Sequence, residues 1–213
     1  MSDGIAALAE RLERMEAIDA IRQLASKYAL ALDMRDLDAL VGLYVEDVRV
    51  SSTESGRLAL KQSFATVVRA FTTSAHHIGG HVIEFDAPDR AHGIVYCRCE
   101  HEASGQWLPM YMYYLDLYSR VDGRWYFKRR APSELYLTPV DRHPVGPHKI
   151  RWPGQPARDG TWHANFPSWE EFWKHPERDA APVPAPAAPD RFIDTMRRGE
   201  RRPIPPDFSW AKR

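Results

Sequence analysis

Trp107-Leu-Pro-Met-Tyr-Met-Tyr-Tyr-Leu-Asp-Leu-Tyr118, followed after three residues by Asp122-Gly123 and then Arg124-Trp-Tyr-Phe-Lys-Arg-Arg130, reads as two strands joined by a tight turn. The runs are rich in aromatic residues, and Asp-Gly supplies the positive φ angles that a two-residue hairpin needs. Working back toward the N-terminus, Ala91 to Glu102 and Gly79 to Phe85 also read as strand-like runs. Four consecutive runs of this kind predict an antiparallel sheet. Before them, Ile5, Leu8, Leu12, Met15, Ile18, Ile21, Leu24 and Tyr28 recur every three or four residues, as one face of a helix or of two consecutive helices. That pattern turns Tyr28 inward. Asp36 is placed to cap a second helix carrying Leu37, Leu40, Val41 and Tyr44, Val45 to Ser52 reads as a strand, and a third helix is expected from Leu58 to Phe71. Helices first and a sheet afterwards indicate the α+β class, with helices packed on one face.

Composition narrows the function classes. With 213 residues and 44% hydrophobic content, the chain suits one domain plus an appendage. Lys plus Arg equals Asp plus Glu at 29 each, so no global field favours nucleic acid or an anionic membrane. Neither is expected as a partner. The two cysteines, Cys97 and Cys99, are too close for a disulfide framework and too few for a structural zinc site. Reduced thiols, no signal segment at the N-terminus and no membrane-length apolar run lead to the expectation of a soluble cytoplasmic protein.

Strand alternation sorts the polar residues by face. Arg98, Glu100 and Glu102 share one side of their strand, while Val95, Cys97, Cys99 and His101 share the other. The second set is expected to face inward, so His101 ends an apolar row, as a polar group in a ligand pocket does. Cys97, Cys99 and His101 invite a metal reading, but successive residues on one strand face stand about 6.5–7 Å apart, and structural sites draw on several elements. His76, His77 and His81 are an alternative ligand set. No metal and no cofactor are expected.

The run Ile21-Arg-Gln-Leu-Ala-Ser-Lys-Tyr28-Ala-Leu-Ala-Leu-Asp33-Met-Arg-Asp36-Leu-Asp38, with His76-His-Ile-Gly-Gly and Gly93 to His101, resembles the SnoaL-like branch of the NTF2-like superfamily over roughly residues 15 to 138. That branch includes scytalone dehydratase, bile-acid 7α-dehydratase and lindane dehydrochlorinase. The resemblance implies a cone formed by a curved antiparallel sheet and three helices, with a cofactor-free site inside. Asp33 matches the buried aspartate that these lyases pair with a histidine, and His76 matches the catalytic histidine of scytalone dehydratase. The spacing to His101 matches that enzyme's second active-site histidine. Tyr28 resembles the active-site tyrosine of the bile-acid dehydratase. Leu32 and Ser52 stand where scytalone dehydratase carries its substrate-polarising tyrosines, a departure from that enzyme's reaction.

The residue chemistry supports the same set. A carboxylate bonded to one imidazole nitrogen fixes the tautomer and leaves the other nitrogen as a base. Asp33 would orient His76, His76 would take the proton, and His101 or Tyr28 would donate one or stabilise developing charge. His77, Tyr44, Tyr111, Tyr113, Arg129 and Arg130 are candidates for substrate contact; of adjacent pairs such as Arg129 and Arg130 only one can face the cavity. The expected function is a cofactor-independent lyase that removes water, or water plus formaldehyde, from an aromatic hydroxylated small molecule such as a lignin-derived diaryl propanediol. A polyketide-cyclase-type isomerase and a non-catalytic binding module are the alternatives. A homodimer or homotrimer is expected.

Residues 1–140 are thus read as the catalytic domain and 141–213 as an extension. The extension holds most of the prolines together with Trp152, Trp162, Trp169, Trp173 and Trp210. So many large aromatics argue for docking, on the cavity mouth or a neighbouring subunit. Ser168-Trp-Glu-Glu171 has capping-box spacing for a short helix, Ala180 to Pro189 reads as an extended connector, and Asp190 is placed to cap a helix ending at Gly199.

Overall fold

The computed structural model describes residues 2–174. Its elements are α1 (Ser2–Asp33), α2 (Leu37–Gly42), α3 (Arg57–Val68), β1 (Thr73–Ala87), β2 (Arg90–Ala103), β3 (Gln106–Val121), β4 (Arg124–Leu137), a 3₁₀ turn (His163–Asn165) and α4 (Pro167–Lys174). The four strands form one antiparallel sheet in sequence order, β1-β2-β3-β4. The hairpin at Asp122-Gly123 has both residues at positive φ, +47° and +76°, as the type I′ reading requires. Ser104-Gly105 makes the equivalent turn between β2 and β3, with φ of +51° and +71°. Helices α1 to α3 close one face of the sheet, giving the α+β cone of the NTF2-like fold.

Several sequence expectations are corrected. The apolar series on α1 belongs to one helix, and its first half does not enter the core: Ile5, Leu8, Leu12 and Met15 are 54–70% exposed, with burial beginning at Ala17. Periodicity specifies a helical face but not how far the sheet beneath it extends. The segment Val45 to Ser52 is not a strand. Tyr44, just before it, bridges Phe127 of β4 and the Val45 N–H donates to the Phe127 carbonyl at 3.0 Å, after which the chain turns back, Arg49 bridging Ser55, with Val48 and Val50 buried in the core. Helix α3 stops at Val68, leaving Phe71 in the following turn. Helix α4 opens at Pro167 rather than being capped by Ser168, using proline's fixed φ at the first helical position. The expected helix from Asp190 to Gly199 and the connector before it lie outside the described residues, as does Trp210. Among the described residues no helix is long and apolar enough to cross a membrane.

Three irregularities decide which side chains face the helices. In β1 the register slips by one residue between Ile78 and His81, where the sequence places Gly79-Gly80. A Cβ on Gly79 would lie 3.2 Å from the Cβ of Tyr96, so the close approach favours glycine. Before this bulge the inward residues are Ser74, His76 and Ile78; after it they are His81, Ile83 and Phe85. In β4 one bulge falls at Lys128, between the pairs Tyr118 to Phe127 and Leu117 to Arg129, and another at Leu135. Each resets the alternation.

The sheet's outer face is covered in part by the chain after β4. The chain first bridges the end of β4 from Ile150 to Leu137, both in the main core, and then crosses to the outer face, where Trp162 stacks on Tyr111 with ring centroids 5.4 Å apart and meets Tyr113 edge-on at 4.6 Å. The Tyr113 hydroxyl donates to the Trp162 carbonyl at 2.8 Å and accepts from Asn165 Nδ2 at 2.8 Å. Gly160 permits this path, because a Cβ there would strike the carbonyl oxygens of Glu134 and Leu135. We expect Gly160→Ala to cost about 1–3 kcal/mol through this overpacking and to shift Trp162 emission toward that of a solvated indole. Chemical denaturation followed by tryptophan fluorescence checks both; wild-type values would show that the strap tolerates the methyl group.

Candidate active site

Helix α1 ends in a turn that presents Asp33 to the sheet. The Arg35 N–H donates to Leu32 O at 3.1 Å and the Asp36 N–H to Ala31 O at 2.9 Å, the paired bonds of a Schellman closure. Arg35 takes the left-handed position, φ +60°, where glycine is usual. Its guanidinium compensates by donating to Leu32 O at 2.8 Å and to Ser74 Oγ at 2.7 Å. Asp36 then caps α2 by accepting from the Ala39 N–H at 2.9 Å, and Asp38 pairs with Lys61 at 2.6 Å, so the Asp-x-x-Asp-x-Asp pattern is one site residue and two structural ones.

Asp33 reaches β1 with both oxygens. Oδ1 lies 2.6 Å from His76 Nδ1 and accepts from the Ser74 hydroxyl at 2.8 Å, while Oδ2 accepts from the His76 backbone N–H at 2.8 Å. Burial would raise the Asp33 pKa, but the His76 and Ser74 hydrogen bonds hold it below the usual 3.8. Since a carboxylate only accepts, His76 carries its proton on Nδ1 and keeps a lone pair on Nε2. The His76 side chain is 3% exposed.

His101, on β2, packs edge-on to His76 with centroids 5.7 Å apart and against Phe71 at 4.8 Å. Its Nδ1 points to the Leu108 carbonyl at 3.4 Å, so it too holds the free lone pair on Nε2. Burial, reinforced by nearby His76, lowers its pKa to about 4. A neutral His101 at pH 7 carries its one proton on Nδ1, toward the Leu108 carbonyl.

These residues share a cavity lined mainly by apolar groups from helices and sheet, among them Leu32, Leu60, Phe64, Met110 and Met112, together with Tyr28, His76, His101, Arg130, Glu134 and Trp152. Arg130 is buried and its guanidinium sits 4.2–4.5 Å from the ring centroids of Tyr28, Tyr114 and Phe127. It donates to Asp116 from Nε at 2.9 Å and from Nη2 at 2.7 Å, while Nη1 has no hydrogen-bond partner among the described residues. Burial alone would favour the neutral base, but Asp116 more than reverses this and keeps Arg130 charged. Burial raises the Tyr28 pKa well above its ordinary value, so its hydroxyl remains protonated.

Asp33, His76, His101, Tyr28 and Arg130 are thus brought together. His77 points to solvent on the opposite side of β1. Arg129 lies outside the lining because the Lys128 bulge turns Arg130 inward in its place. Tyr111 and Tyr113 project from the outer face onto Trp162, and Tyr44 packs on Phe127 in the core, 5.1 Å between centroids. None of these lines the cavity. Of the residues missed, Ser74 was accessible to strand alternation, two positions before His76; Arg35 carries no sequence signal, because its role depends on a left-handed turn. The thiol of Cys99 lies beside the imidazoles: His76, Cys99 and His101 each offer a ligand atom within 4.8 Å of the others.

The His101 environment generates a pH prediction. Between pH 6.5 and about 4 the unfolded chain binds a proton at this residue that the folded chain does not, so stability contributed by His101 falls as pH drops through that window. NMR should show its imidazole titrating near 4, whereas a midpoint above 6 would contradict the buried neutral assignment.

A family model described as a SnoaL-like domain matches residues 13–131, more than half of the chain. No curated protein matches the sequence. Among solved structures, a scytalone-dehydratase-like protein from Novosphingobium aromaticivorans is 26% identical, with a TM-score of 0.53 over 68% of this chain and 97% of that one. An NTF2-like protein with a cystatin-like fold from the same organism is 26% identical, with a TM-score of 0.53 over 60% and 88%. A hexachlorocyclohexane dehydrochlorinase from Novosphingobium barchaimii, 24% identical with a TM-score of 0.56 over 64% and 99%, shares the fold. With its cone, its Asp33–His76 pair and a match across most of the folded region, the chain belongs to the SnoaL-like domain family of the NTF2-like superfamily.

Proposed function

We propose that this chain is a cofactor-independent lyase acting on an aromatic, hydroxylated small molecule. The observation that carries the reading is the 2.6 Å Asp33–His76 contact at the wall of an apolar cavity that also holds a charged arginine. Asp33 holds the His76 tautomer and stabilises the imidazolium that forms when Nε2 takes a substrate proton. The unpartnered Arg130 Nη1 is available to a developing oxyanion or a departing hydroxyl. Tyr28, protonated and on the same wall, is the donor that completes water.

Two outcomes use this one base. In dehydration, Nε2 removes a proton from carbon, the C–H pair becomes the double bond, and hydroxide leaves as water. In a diaryl propanediol, Nε2 removes the primary hydroxyl proton; the O–H pair forms the carbonyl of formaldehyde, the C–C pair forms a stilbene, and benzylic hydroxide leaves as water. The aromatic and methionine lining suits such substrates, and the likeness to a scytalone-dehydratase-like protein supports the elimination class.

Mass spectrometry of products formed by chelator-treated protein from aryl carbinols and diaryl propanediols tests the reading. Loss of water indicates the dehydratase, and water loss with trapped formaldehyde indicates C–C cleavage. A product of unchanged mass would replace it with an isomerase, and no conversion of any substrate with a binding module. His76→Ala should lower kcat by about 10²–10⁴-fold. Tyr28→Phe should lower it by about 10²-fold if the hydroxyl delivers the proton; wild-type turnover would return that role to solvent.

A further inference from the structure

The cluster beside the base has the chemistry of a metal centre. His76 on β1 pairs directly across the ladder with Cys99 on β2, and His101 follows Cys99 on the same face, so the three side chains leave one patch of sheet. One ligand atom from each lies within 4.8 Å of the other two. The row Cys97, Cys99 and His101 is spread along a single strand; replacing Cys97 by a cross-strand imidazole draws the set together.

The surrounding groups orient these ligands. Nδ1 of His76 is held by Asp33, and Nδ1 of His101 faces the Leu108 carbonyl, leaving Nε2 on each ring as the ligating lone pair. Metal-bound histidines are held by this same kind of carboxylate or carbonyl partner. Cys99 is wholly buried, and its sulfur lies 3.4 Å from that of Cys97, whose thiol also reaches the Arg98 carbonyl at 3.8 Å. A Cys99 thiolate and the Asp33 carboxylate together balance a divalent charge, so the occupied cluster is neutral. Two imidazoles and one thiolate select a borderline or soft cation over magnesium or calcium. Three protein ligands leave a fourth tetrahedral position for water or a ligand oxygen.

We propose that His76, Cys99 and His101 bind a thiophilic divalent cation such as zinc, and that occupancy inhibits the enzyme by taking Nε2 of His76. Binding releases the Cys99 proton to solvent, and each ligand donates its lone pair to the ion. Zinc–ligand bonds of about 2.0–2.3 Å require the three atoms to draw in toward separations of roughly 3.3–3.8 Å, which small side-chain rotations supply. The inhibitory half rests on His76 being the base; the binding half does not.

Chelator-treated full-length protein titrated with cobalt(II) tests the binding half. The expected result is tetrahedral d–d absorption with a thiolate-to-cobalt charge-transfer band, displaced by zinc. In Cys99→Ala the charge-transfer band should vanish and the zinc Kd should rise by at least about 100-fold, with metal-free turnover retained because Cys99 lies outside the cavity lining. Cys99→Ser gives the same readouts should the alanine variant not fold. Absence of the band in the unmutated protein, or its persistence in both variants, overturns the site. Zinc at saturating concentration should abolish turnover in the unmutated protein; cobalt and zinc binding with turnover intact overturns the inhibition. A protein that binds cobalt through Cys99 but converts no substrate would refute the lyase reading while upholding the metal site.

Discussion

A positive charge buried between helices and sheet is the constraint around which this molecule is arranged. Arg130 and Asp116 are almost wholly inaccessible and joined by two hydrogen bonds. Removing either partner leaves an uncompensated buried ion, typically a loss of about 3–5 kcal/mol. The pair reaches further through Tyr118, whose hydroxyl donates to Asp116 at 2.8 Å and lies 3.0 Å from His81 Nε2. Because that hydroxyl proton is committed to Asp116, His81 must supply the proton of the second bond, in keeping with a neutral ring whose pKa burial lowers to about 4. Tyr28 from α1, Tyr114 from β3 and Phe127 from β4 surround the guanidinium, tying three elements to one charge.

The same arrangement gives the cavity its polarity. One wall carries a fixed positive group with a donor that has no hydrogen-bond partner among the described residues, another carries a carboxylate-held imidazole, and the space between is apolar. Low dielectric strengthens both groups toward charge that develops between them. His101 contributes differently. Burial keeps it neutral and its carbonyl contact orients it as an acceptor, so the site holds two imidazole lone pairs beside a thiol. The proposed base and the proposed metal site draw on the same lone pairs.

Position within this site is set by interruptions of regular structure. Alternation continued from Trp125 and Phe127 would have turned Arg129 inward; the bulge at Lys128 turns Arg130 in. The slip at Gly79-Gly80 lets His76 and His81 both face the interior although they are five residues apart. The left-handed Arg35 turns the end of α1 so that Asp33 meets Ser74 and His76, and the side chain of that same residue anchors Ser74.

Local sequence determined the class of fold: hydrophobic period, the Asp-Gly turn and the order of helices before strands depend only on neighbouring residues. The resemblance carried by the Tyr28 to Asp38 run, His76-His-Ile-Gly-Gly and Gly93 to His101 singled out Asp33, His76 and His101 as candidates. Tertiary structure alone decided where α1 leaves the sheet, that Val45 to Ser52 forms no strand, and which of His76 or His77 and Arg129 or Arg130 faces inward. It also sent Tyr111 and Tyr113 to the outer face, under Trp162. The physical reason is parity: a one-residue slip in a strand reverses every side chain beyond it, and while Gly79-Gly80 marks one such slip in the sequence, nothing at Lys128 marks the one that turns Arg130 inward.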